Sequence, residues 1–164
     1  MPSNSANALD VAAAIVERLH PIDPLKLEKL VFYAAGEYAA LTGLPLFPED
    51  LEAWEYGPAV YDVWKTYKNC EDGAIVTPQS GDPSKLNDLA LGCVDSAISK
   101  YGSIPGRKLI NITHDEPAWY ESYVEGRYRT QIPFTILVDS FRAKHTERPS
   151  DELLDRVFSA QNSA

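Results

Sequence analysis

His114 is the residue best suited by type to catalysis, standing in the run Thr113-His114-Asp115-Glu116-Pro117. An imidazole oriented by a neighbouring carboxylate is the usual form of a general base, and the same set could be half of a metal pair. Neither reading gains support from the rest of the chain. There is no H-E-x-x-H, no second nearby His and no paired-cysteine spacing to complete a metal set. Nucleophile-elbow, phosphate-loop and dinucleotide-loop motifs are missing as well. Glu52 and Glu55 could be read as paired carboxylates, but a separation of three in an extended segment sends them to opposite faces. His20, before Pro21, fits a favourable interaction at a helix C-terminus, and His145, in a polar segment, is expected in solvent. The other reading of His114 is a loop imidazole that bonds backbone groups between two helices. Catalysis finds little support, and no metal or cofactor is expected.

A denser signal is Glu52-Ala53-Trp54-Glu55-Tyr56-Gly57-Pro58, with Tyr61 and Trp64 close behind. Gly57 can take positive φ and Pro58 fixes φ near −65°, so a sharp turn is expected there, with Pro58 opening a helix. Tyr and Trp join large contact area to a polar end, so these rings either close the core or grip another protein.

The surrounding pattern is helical. Ala8, Val11, Ala12, Ile15, Val16 and Leu19 recur at helical spacing until Pro21. Asp23-Pro24 reads as cap and first turn of a second helix that stops at Gly43, with Lys26, Lys29 and Glu37 on its solvent side. A short strand is expected over 51–54, and a third helix from Pro58 carries Val63, Trp64 and Tyr67, ending before Glu71. Asp82-Pro83 repeats the cap-plus-proline start for a fourth helix to Gly102, which buries Cys93 as a small hydrophobe. Shorter helices are expected over 107–112 and from Pro117 until Gly126, then another through Phe134, Leu137, Val138 and Phe141. Ser150 reads as the cap of a last one over Leu153, Leu154, Val157 and Phe158. The fold expected is mainly α, a single compact domain of seven to eight helices with at most a short β-hairpin. Residues 1–6 are expected to fray, 7–145 to form the domain, and 146–164 to be a C-terminal helix or tail.

The chain of 164 residues carries 24 acids and 15 bases, a formal charge of −9. That balance argues against free nucleic acid as the ligand and fits a basic protein partner or plain solubility. Two cysteines without metal spacing, no basic leader and no long apolar run fit a cytoplasmic protein that neither spans a membrane nor enters secretion.

Four segments together resemble the Panacea domain, the SocA-like antitoxin family of bacteria and their phages. Pro24 to Ala34 is similar to the family's "PLKLQKLLYYA", and Leu44-Pro45-Leu46-Phe47 to its "x-PLF" turn. Glu52 to Pro58 resembles "EAWxYGPV", and Leu109 to Trp119 resembles "LxxxTHxExPW". The order is the family's, and the resemblance covers roughly residues 8–142. Two departures occur: Ala59-Val60-Tyr61 replaces the usual "VVP", and Ala118 is inserted between Pro117 and Trp119.

The resemblance implies an antitoxin encoded beside a toxin gene and neutralising that toxin by direct contact. The alternative it implies is an adaptor that delivers the toxin to a ClpXP-type protease, as the founding member does. Toxins paired with the family include alarmone synthetases and translation inhibitors. Some members carry a separate DNA-binding domain, which is not expected here. On the antitoxin reading the contact face is expected at Trp54, Tyr56, Gly57, Pro58, Tyr61 and Trp64, with Lys29 and Tyr33 from the second helix and His114; core packing is the other expectation for each. An enzyme using His114 with Asp115 or Glu116 is the remaining reading.

Overall fold

A computed structural model describes residues 5–70 and 73–146. Among them are seven α-helices and a small sheet, so the domain is mainly α as expected. Helix α1 spans Ala8–Arg18, and Asn7 closes a capping box with Asp10. Ala6, expected within the frayed end, is already buried. Helix α2 spans Pro24–Thr42, with Asp23 as its N-cap, Pro24 in the first turn and Gly43 in the left-handed conformation as its C-cap.

Every residue of α2 from Leu27 to Gly36 is buried, because α1, α3, α4, α5 and α7 all pack against it. A helix surrounded in this way has no solvent face. The expectation that Lys29 faces water is therefore corrected: it is 2% exposed.

After α2 the chain forms β1 (Glu52–Trp54) and β2 (Gly57–Ala59), antiparallel with Trp54 opposite Gly57 and Ala53 opposite Pro58. Pro58 thus lies in a strand rather than opening a helix. It is tolerated there because β2 is an edge, the sheet order being β2-β1-β3 with β3 at Thr130–Gln131. Helix α3 begins at Tyr61 and ends at Tyr67. The fourth helix also starts later than expected. Asp82-Pro83 opens only a 3-10 turn over Pro83–Lys85, and Asn87 caps α4 (Asp88–Tyr101). Cys93 is buried, as its place on the helical stripe implies.

Helix α5 (Gly106–His114) extends further than expected and carries His114 in its last turn. Helix α6 (Pro117–Tyr120) is one turn and does not reach Gly126. Helix α7 spans Phe134–Thr146. The expected helix after Ser150 and the tail lie outside the described residues. His145 is not simply solvated, since its Nε2 lies 3.2 Å from Glu37 Oε2. His20 donates from Nδ1 to the Val16 carbonyl at 2.9 Å, near the end of α1.

The approach of α7 to α2 depends on Gly36. A Cβ there would overlap the Phe141 ring, which meets Phe32 edge-on with centroids 5.4 Å apart. Gly36→Ala should therefore destabilise the domain by about 1–3 kcal/mol through overpacking, although alanine is the better helix former. Urea denaturation measures it. A neutral or stabilised variant would contradict this packing.

Candidate functional site

The hairpin is too small to stand alone, and side chains from two other segments hold its backbone. From behind the turn, His114 Nε2–H donates to the Glu55 carbonyl at 2.9 Å, and the Trp119 indole donates to the Trp54 carbonyl at 2.7 Å. These two rings stack with centroids 3.9 Å apart, and Tyr123 also stacks on Trp119, at 4.6 Å. His114 therefore commits one ring nitrogen to a backbone carbonyl of the hairpin, and does so from the last turn of α5 rather than from a loop between helices. Among the described residues no group of His, Cys, Asp and Glu could hold a metal.

From below, α2 supplies a buried pair. Lys29 Nζ donates to the Pro58 carbonyl at 3.1 Å, and Glu28 Oε2 accepts from the Val60 N–H at 2.9 Å. The loop has room for this only because residue 57 is glycine. Gly57 has φ of +110°, and a Cβ there would lie 2.8 Å from both Lys29 Cε and Thr113 Oγ1. Thr113 is fixed by donating its hydroxyl to the Leu109 carbonyl at 2.8 Å.

The outer side carries the aromatic rings. Glu52 accepts the Trp54 indole N–H at 3.0 Å and is gripped by Arg129, Nε to Oε1 at 2.7 Å and Nη2 to Oε2 at 2.9 Å. The Arg129 guanidinium lies 4.2 Å from the Tyr61 ring centroid. Tyr61 and Trp54 each stand 5.8 Å from Trp64, centroid to centroid. Between these residues and the 123–129 segment runs a groove of about 610 Å³. Trp64 and Tyr56 on its rim are 39% and 61% exposed, and Tyr128 is 95% exposed.

Of the residues singled out from sequence, Trp54, Tyr56, Tyr61 and Trp64 meet in this groove. Lys29, Gly57 and Pro58 are buried, and with His114 they lie behind the turn as its support. Tyr33 belongs to a different place. It is 3% exposed, stacks on Tyr101 at 3.8 Å and donates to Glu116 Oε1 at 3.3 Å. Lys144 Nζ holds the same carboxylate, 2.6 Å from Oε2. Burial pushes the Tyr33 hydroxyl pKa up, so it remains a donor.

Sequence reasoning missed the groove's second wall, Tyr123, Arg127, Tyr128 and Arg129. Nothing in a two-residue strand at Thr130–Gln131 announces that this segment returns to pair with β1. It also missed Glu28, whose place in a helical run looks ordinary.

Residues 27–120 match the family model described as antitoxin SocA-like, Panacea domain, more than half of the 164-residue chain. The chain belongs to this family. No curated protein and no solved structure matches it. The matched Panacea segment runs from α2 through α6 and so contains the hairpin, its supports and the first groove wall, while the 123–129 wall lies beyond it. Membership carries an antitoxin role. Among the described residues no helix is long and apolar enough to cross a membrane.

The buried pair sets a pH dependence. Desolvation raises the Glu28 carboxyl from 4.5 to about 7, opposed by the Val60 N–H and the Lys29 charge. Desolvation lowers Lys29 from 10.5 to about 8, opposed by Glu28 and Asp23. Folded Glu28 holds its proton more tightly than the unfolded residue. Its contribution to stability is therefore full below 4.5 and lost as pH rises through about 7. Lys29 runs the other way, its contribution present above 10.5 and lost as pH falls through about 8. Glu28→Gln should remove the fall in stability across the carboxyl range. Urea denaturation at a series of pH values checks this, and parallel curves for the two proteins would contradict it.

Proposed function

We propose that this antitoxin domain restrains its toxin by direct contact, and that the aromatic groove is where the toxin docks. The observation that carries the reading is the set of exposed rings at Tyr56, Trp64 and Tyr128 around one groove. Clustered exposed apolar surface marks interaction sites, and Tyr, Trp and Arg dominate the energetics of protein interfaces. The hairpin side of the groove is held by hydrogen bonds to its backbone, so ordering that wall on binding costs little. A formal charge of −9 favours a basic partner. The domain acts in the cytoplasm on this reading, and its two thiols, both unpaired, suit that compartment. His114 takes no catalytic part.

Tyr56 is the best probe because it sits at the tip of the turn, whereas Trp54 also holds the sheet together. Tyr56→Ala should stay folded and lose about 2 kcal/mol, roughly 30-fold, in affinity for the protein encoded beside it. Calorimetry on the purified pair measures the loss, and growth rescue on co-expression should weaken in parallel. Unchanged affinity and full rescue would place the docking surface elsewhere. Rescue that disappears when the host's ClpXP-type protease is deleted would show delivery to proteolysis in place of restraint.

A further inference from the structure

The surface feature does not end at Trp64. Trp64 also lines a second pocket of about 140 Å³, between the first turn of α2 and α3, walled by Leu25, Val63 and Tyr67. Lys68 borders it, and Glu28 is the acidic residue of its lining. Glu28 is 5% exposed, and only its Oε2 is used, by the Val60 N–H. Oε1 is buried and has no hydrogen-bond partner among the described residues. The neighbouring Lys29 attracts the carboxylate but gives its hydrogen bond to Pro58. A buried carboxylate oxygen left without a donor is costly, and a donor that reached it would recover that cost.

The walls define the donor. Apolar side chains suit a run of methylenes, and the carboxylate suits a positive group able to give charge-assisted hydrogen bonds. The Trp64 ring already attracts a cation, since Lys68 Nζ sits 4.7 Å from its centroid. An aliphatic stem ending in a charge meets all three conditions, and the net charge of −9 draws such groups in.

We propose that this pocket receives one lysine or arginine side chain of the toxin, passing Trp64 from the aromatic groove and ending at Glu28 Oε1. The inference rests on the direct-contact reading and names the chemistry of the partner. On binding, exposed Lys68 leaves the Trp64 ring for solvent, and the incoming stem passes the ring in its place.

The pocket can be tested without the toxin. Butylammonium chloride titrated into the free protein above pH 7, where Glu28 is a carboxylate, should shift the Trp64 indole and Val60 amide NMR signals saturably, while butanol should not. Glu28→Gln keeps a carbonyl oxygen for the Val60 N–H but removes the charge, so the butylammonium shift should vanish. No saturable shift in the native protein overturns the inference, as does an equal response to butanol. With the toxin, Glu28→Gln should cost about 30-fold in affinity. If Tyr56→Ala weakens toxin binding and Glu28→Gln does not, the cation pocket falls while the groove stands. If neither weakens it, both fall. Should Glu28→Gln fail to fold, the titration of the native protein decides alone.

Discussion

Strands of three residues make too few ladder bonds to persist by themselves, so the segment 52–60 depends on side chains that reach its backbone. Four such contacts hold it. His114 and Trp119 take the carbonyls of Glu55 and Trp54 from behind, while Lys29 takes the Pro58 carbonyl and Glu28 the Val60 N–H from below. The two segments that supply these groups, the second helix and the Thr113-to-Trp119 run, are among the four that resemble the family's. Their polar residues Glu28, Lys29, His114 and Trp119 bond the hairpin's backbone.

This grip has a cost. Burying a carboxylate and an ammonium in the core opposes both charges, and one oxygen of Glu28 is left without a donor. Replacing such a pair by apolar residues would often be neutral or stabilising. What the pair supplies is position. It fixes β2 against α2 and so fixes the start of α3, which carries Tyr61 and Trp64 to the groove. A wall held in this way can present aromatic rings to a partner without first having to order them.

The helices were largely legible because their ends obey local rules. Asp23-Pro24 and Gly43 bracket α2, and Asn7 opens α1. Local rules failed where tertiary contact decides. A proline after a glycine looks the same at the head of a helix and in an edge strand, and only the pairing with Ala53 makes Pro58 a strand residue. Lys29 follows a solvent-facing period, but a helix wrapped by five others leaves that period no meaning. The rings at 54, 56, 61 and 64 meet in one groove, whereas Tyr33 and Lys29, expected on the same face, are buried away from it. Arg129, which completes the set through Glu52 and Tyr61, lies 77 residues from Glu52 and carries no local sign of the contact.

Docking of a toxin in the groove between the hairpin and the 123–129 segment is the central claim. Hydrogen–deuterium exchange on the complex with the toxin tests it most directly. The account predicts new protection concentrated over residues 54–64 and 120–129, with α1 and α4 unchanged. Protection that falls on α1 or α4 and spares the hairpin would contradict it.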